Sequence, residues 1–365
     1  MTDADDFLAA IIDRPDDDLP RLVFADFLEE SGDAERAEFI RVQCELARLP
    51  AGHPDRPALA AREEELLAAN KPRWVVPGAG WQRFRRGFVE VVRTTAEWLV
   101  ATAGRLFART PVRELRVQGA DRYAEPLARL AGLARVEALD LTNNSFRTVE
   151  RLLNEAPLGS LRRLTVRNGQ LWPERVQAIA RAPAAARLAR LDLSGNPISD
   201  AGAAVLASDP AFAGLTALAA RSDQMHYPDR IHAAGADALA RSATLTRLRS
   251  LDLRGQCVGD AGLIDLVRSP NAAGLVELDL ADNEVGSLGA AAVEALVESP
   301  YLGRLEWVGL ARNRIDRLAA EALAHWPRLR DGVRVDLRKC ELDAAGLAAI
   351  LDSPFAAQFT LDPPE

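Results

Sequence analysis

The sequence predicts an α/β repeat solenoid preceded by a small all-α module. Three observations carry that expectation. From residue 86 onward a phrase of apolar residues recurs about every 27 residues. Each copy joins a short alternating segment of strand character to apolar residues at helical spacing. Ahead of the first copy, residues 1–70 carry helical spacing only.

In that first stretch, Phe7, Leu8, Ile11 and Ile12 form one apolar face, which Pro15 ends. Asp16, Asp17 and Asp18 place carboxylates at the start of a second helix, where Leu19, Leu22, Val23 and Phe27 repeat at three and four. Gly32 stops it. A third helix from near Asp33 buries Phe39, Ile40, Cys44 and Leu46, and a fourth runs from about Ala58 to Ala69. Residues 71–85 read as a connector. Asp26, Arg21 and Arg41 read as ion-pair partners between packed helices. Cys44 reads as a small hydrophobe, not a reactive thiol.

The clearest copies of the phrase are LARLDLSGNPI at 188–198 and LVELDLADNEV at 275–285. Others start at Val112, Val136, Leu161, Leu215, Leu248, Leu305 and Gly332, with a degenerate first copy at Arg86. The array therefore spans 86–352 in about ten units, and 353–365 forms a tail. Period and phrase together are the leucine-rich repeat signature. The LxL segment is a strand with alternate side chains in the core. Asn144, Asn196, Asn283 and Asn313 occupy the ninth place, where an amide both donates to and accepts from backbone at the corner. Ala120, Gly169, Asp223, Gln256 and Cys340 stand there in other copies, so those corners need other partners. Asp200 and Asp260 fall at the N-cap of the following helix. Gly202, Gly262, Gly289 and Gly346 recur at one offset, which implies a close approach of helix to strand that a Cβ would obstruct.

Repeats of this length with a full helix resemble the ribonuclease-inhibitor-like class of leucine-rich repeats, shared with Ran GTPase-activating proteins. Residues 16–49, DDDLPRLVFADFLEESGDAERAEFIRVQCELARL, resemble the bacterial repeat-companion domain, a module without assigned chemistry. The resemblance implies a horseshoe with parallel strands on the concave face and helices on the convex face. Residues 1–70 are expected to cap the N-terminal end of the array, because an end repeat otherwise exposes its apolar core.

Composition narrows the chemistry. The net charge is −8, with 53 acidic and 45 basic residues, which disfavours a nucleic-acid or acidic-membrane surface. Lys71 and Lys339 are the only lysines, leaving little room for Schiff-base or phosphate-cradling lysines. Cys44, Cys257 and Cys340 form neither a CxxC pair nor a disulfide framework. The acidic start at Asp3, Asp5 and Asp6 and the absence of a long apolar run point to a cytoplasmic chain. No GxxxxGK, HExxH, GxSxG or strand-borne GxGxxG occurs. His226 and His232, with Asp223 and Asp229, are spaced for neither one helix face nor a tight turn, so no metal is expected. No catalytic residue and no cofactor are expected either.

The outward strand places say more. Asp252, Asp279 and Asp336 stand in the fifth place of their copies and Arg254 and Arg338 in the seventh, forming an acidic column beside a partly basic one. Such neighbours either pair across strands or present mixed charge to a partner. Trp307 occupies an outward third place among charges, a residue type enriched at binding hot spots. The copy starting at Leu215 is 33 residues long, and its extra length places Met225 to His232 on a strand-edge loop with Tyr227 as contact and Arg230 as rim. The expected function is a non-catalytic, monomeric protein-interaction module with an unidentified protein partner. Stoichiometric regulation of an enzyme is the alternative, by fold analogy.

Overall fold

The computed structural model describes residues 3–222, 229–286 and 290–362. The chain divides into two compact units, residues 1–141 with 155–161, and residues 142–154 with 162–365.

The first unit opens with helices α1 (Asp3–Asp13), α2 (Leu19–Glu30), α3 (Ala34–Arg48) and α4 (Arg56–Trp74). They enclose Ile11, Phe24, Ala25, Ala37, Ile40 and Cys44. Phe88 of the following hairpin enters the same cluster. α4 runs past the expected end at Ala69 to Trp74, with Pro72 inside its last turn, where the missing N–H forfeits one bond to the preceding turn. Strands β1 (Trp81–Arg85) and β2 (Phe88–Thr95) then pair antiparallel, so part of the expected connector is a strand. Their turn is Arg86-Gly87, both at positive φ, the geometry of a two-residue hairpin loop. Gly87 is required twice over there, since a Cβ would also meet Ile40 of α3 at 2.5 Å. Beyond the hairpin come α5 (Ala96–Arg109), β3 (Glu114–Gln118), α6 (Ala124–Ala128) and β4 (Ala138–Asp140), with β2, β3 and β4 parallel and in sequence order.

In the degenerate first copy, Glu90 occupies the outward fifth place, yet it is buried. α2 covers this strand, and Arg21 reaches in from it to Glu90 at 2.7 Å. Arg21 also donates to the Arg85, Arg86 and Pro15 carbonyls, so it is not the partner of Asp26. Asp26 and Glu29 take Arg41 instead, each at 2.6 Å. Cys44 is enclosed, and burial pushes its thiol up to about 12, out of the reactive range.

In the second unit helices and strands alternate, beginning with a helix and ending with a strand. The strands are β5 (Arg163–Thr165), β6 (Arg190–Asp192), β7 (Ala217–Ala219), β8 (Ser250–Asp252), β9 (Glu277–Asp279), β10 (Trp307–Gly309), β11 (Arg334–Asp336) and β12 (Phe359–Thr360). All pairings among them are parallel between sequence neighbours. The helices are α7 (Phe146–Glu155), α8 (Pro173–Arg181), α9 (Ser199–Ser208), α10 (Ala233–Ala240), α11 (Gly259–Arg268), α12 (Ala291–Val297), α13 (Arg317–Ala324) and α14 (Ala344–Leu351). The central residue of each strand, Leu164, Leu191, Leu218, Leu251, Leu278, Val308 and Val335, is buried, as the alternating phrase requires. β12 lies in the expected tail and extends the ladder from β11.

The ninth-place amides stitch one repeat to the one before it. Asn196 donates to Val166 O and Leu193 O at 2.6 and 2.8 Å and accepts from the Gly169 and Leu171 amides. Asn313 repeats the pattern on Leu280 O, Leu310 O and the Asn283 and Val285 amides. Asn283 donates to Leu253 O and accepts from the Val258 amide. Asn144 is buried and donates to Thr142 O at 3.4 Å. Where the residue differs, Gln256 does the same work, accepting from the Ile231 amide at 2.7 Å, and Cys340 donates to Leu310 O.

Two local expectations are corrected. Asp200 and Asp260 lie inside their own helices, whose N-caps are Ile198 and Val258. Each serves the next repeat: Asp200 accepts from the His232 and Gly235 amides at 2.7 and 2.9 Å, and Asp260 from the Gly286 amide. The glycines face helices, not strands. A Cβ on Gly262 would meet Ala236 Cβ of α10 at 2.9 Å, and on Gly346 it would meet Ala320 Cβ of α13 at 3.3 Å. On Gly202 it would meet Ile198 Cγ2 at 2.6 Å and Pro173 Cα of α8 at 3.7 Å. Gly289 lies outside the described residues.

A candidate binding surface on the strands of the second unit

Parallel register aligns the fifth places. Ala219 pairs with Asp252, Asp252 with Asp279, Asp279 with Gly309, and Gly309 with Asp336. Strands lie about 4.8 Å apart, so these carboxylates would repel one another without compensation.

Most are compensated. Arg221 reaches Asp252 of the next strand at 2.5 Å, as Arg167 reaches Asp192. Arg338 curls back onto Asp336 of its own strand at 2.6 Å. Burial would raise the Asp336 carboxyl, but the hydrogen bonds from Arg338 outweigh it and hold the group below the usual carboxylate range.

Asp279 is different. It accepts from the Ala281 amide at 3.0 Å, and among the described residues it has no ion pair. Burial, with the charge of Asp252 beside it, pushes its carboxyl above the ordinary value. Arg254 stands in the seventh place of the preceding strand, where Arg167 and Arg221 make their cross-strand pairs. Its amide donates to Asp252 at 3.2 Å, and among the described residues its guanidinium makes no ion pair.

Trp307 completes the patch. It is half-buried, in register with exposed Glu277 on one side and exposed Arg334 on the other. Its ring folds over Gly309: a Cβ there would lie 2.5 Å from Trp307 Cη2 and 2.6 Å from Asp279 Oδ1. The indole thus fills the gap that glycine leaves in the carboxylate column, beside Asp279. Position alone could have marked this, since glycine replaces aspartate two residues after a tryptophan. Trp326, by contrast, is core.

The inserted segment contributes less to this picture. Asp223 to Pro228, including Met225, His226 and Tyr227, lies outside the described residues. Its following residues are tied to the next corner. Ile231 is buried, Ile231 O accepts from the Cys257 amide at 2.9 Å, and Arg230 Nη1 lies 3.6 Å from Cys257 Sγ. His232 Nδ1 lies 3.7 Å from Asp200. Among the described residues no group of three or more His, Cys, Asp or Glu could hold a metal ion. Among them no helix is long and apolar enough to cross a membrane.

Comparison with known proteins agrees with the repeat. A family model described as "Leucine Rich repeat" matches residues 188–207 and 275–293, the two clearest copies of the phrase. No curated protein matches the chain. Among solved structures, the crystal structure of a TLR13–ssRNA13 complex is 17% identical with a TM-score of 0.40, covering 68% of this chain and 35% of that one. The chain therefore spans about a third of that protein's length. An internalin from Listeria monocytogenes is 12% identical with a TM-score of 0.35, covering 76% of this chain and 87% of its own. A protein from Bacteroides fragilis is 11% identical with a TM-score of 0.42, covering 80% and 85%.

Proposed function

We propose that this chain, a leucine-rich-repeat solenoid preceded by a helical module, is a non-catalytic protein-interaction module that binds its partner on strands β8 to β11. The observation that supports this reading is the patch formed by Trp307, Asp279 and Arg254. An aromatic ring lies beside the Asp279 carboxylate, which has no ion pair among the described residues. Arg254, whose guanidinium likewise makes none, follows the adjacent strand β8, and exposed Glu277 and Arg334 stand on either side of the tryptophan. Aromatic anchors flanked by charges contribute most of the affinity in protein interfaces, and the charges select the partner. Asp252, Asp336 and Arg338 form the polar rim, with Arg230 beside the next corner; Tyr227, the expected contact, lies outside the described residues. The partner is a protein, not nucleic acid or membrane, and the module acts as a cytoplasmic monomer of bacterial origin. The subtype is ribonuclease-inhibitor-like, with residues 1–70 as the repeat-companion cap.

Affinity capture with the full chain, repeated with Trp307→Ala and Asp279→Asn, tests the reading. A protein retained by the parent and lost with both variants supports it. Equal recovery on all three baits overturns it. If the captured protein is an enzyme, titrating its activity against the chain separates stoichiometric regulation from scaffolding, because only a regulator changes activity at one equivalent.

A further inference from the structure

The first unit contains a cleft of about 500 Å³ between its helices and its first strands. Its walls combine two chemistries. Leu28, Phe88 and Leu106 supply an apolar lining, while Arg73, Arg105 and Arg109 stand around it. Arg105 and Arg109 lie one turn apart on α5, both exposed, and neither makes an ion pair among the described residues. Among the described residues Asp33 is the one carboxylate in the lining. Arg73 pairs with it at 3.8 Å and with Glu35 outside the lining at 3.6 Å, which leaves Arg105 and Arg109 as the exposed cations without an ion pair.

Arg36 makes the cleft unusual. Its guanidinium lies 4.9 Å from the centre of the Trp74 ring and 5.5 to 5.6 Å from those of Phe39, Phe88 and Phe84. Nη2 donates to Gly87 O, while Nη1 is enclosed and has no hydrogen-bond partner. Ring faces attract a cation but cannot neutralise it, and Asp33, the nearby carboxylate, is not within ion-pair distance, so burying this charge is costly. Burial accordingly draws the group down to about 10.

We propose that this cleft binds a small amphipathic anion, an apolar body carrying a carboxylate or phosphate head. The apolar lining takes the body, and the arginines take the head. An inorganic anion would leave the apolar lining wet, and a neutral apolar ligand would leave the Arg105 and Arg109 charges without a partner. The volume falls within the range of small-molecule sites. This site is independent of the strand-face reading and uses none of its residues.

Isothermal titration calorimetry of the full chain tests it, with decanoate and decyl phosphate as probes below their micelle concentrations and decanol as the neutral control. At least one anion should bind about tenfold or more tightly than decanol, and the tighter head identifies the natural one. Arg105→Ala/Arg109→Ala should remove that difference without moving the melting midpoint, because both side chains are exposed. Equal binding of decanol, no binding of either anion, or unchanged anion affinity in the double variant would each overturn the proposal.

Discussion

Arg21 and Glu90 form a buried ion pair at 2.7 Å, with side-chain exposures of 0% and 5%. It ties helix α2 to strand β2 across the first unit, and three further carbonyls hold the guanidinium in place. Breaking such a pair leaves one charge uncompensated. Glu90→Leu alone should therefore cost about 3–5 kcal/mol in urea unfolding. Arg21→Met/Glu90→Leu together should recover much of that loss. A double variant no more stable than the single would show that the carbonyl contacts, not the pair, hold the junction.

The Asp279 carboxyl is raised by burial and by Asp252, so the native state holds its proton more tightly than the unfolded chain does. Stability from this group is highest below its unfolded value of 3.8 and falls as pH rises through the folded value. Asp279→Asn should therefore melt higher than the parent at pH 7 and lose that advantage in acid. Asp336→Asn should do the reverse, because Arg338 lowers the Asp336 carboxyl. Its stabilising contribution is present above the unfolded value and vanishes as pH falls through the folded one. Melting midpoints of both variants between pH 3 and 8 give the comparison.

Trp307 lies over Gly309 without being fully buried, so Trp307→Ala should leave folding nearly intact. Partner affinity should fall by about 2 kcal/mol or more. Gly309→Ala should act on the same ring from below, because the new Cβ would meet Cη2 at 2.5 Å and displace the indole. In the Trp307→Ala background the alanine at 309 should do less harm, a coupling that a double-mutant cycle measures. Independent effects would mean that the ring does not rest on the glycine.

Asn313 satisfies two carbonyls and two amides across two repeats. Asn313→Ala orphans those buried groups, and should cost about 3 kcal/mol or more. Asn313→Gln should recover part of the loss, since Gln256 does this work at another corner. Chemical unfolding of the two variants distinguishes loss of bonding from loss of packing.

The period, the strand residues that enter the core and the ninth-place amides were legible in the sequence. Each depends on spacing along one copy of the phrase, and a strand's alternation is local geometry. The candidate surface was legible only as columns of outward residue types. Which arginine takes which aspartate depends on reach across neighbouring strands. Arg221 crosses to Asp252, yet Arg338 turns to Asp336 on its own strand. Only tertiary structure decided that Asp200 serves the helix after its own, that α2 buries Glu90, and that Trp307 covers Gly309 beside Asp279. Asp200 meets the following repeat, Arg21 of α2 meets Glu90 of β2, and Trp307 lies near Asp279 of the neighbouring strand, each pair far apart in the chain. Sequence spacing sets the rise of one repeat. The partners that meet across the gap are chosen by packing.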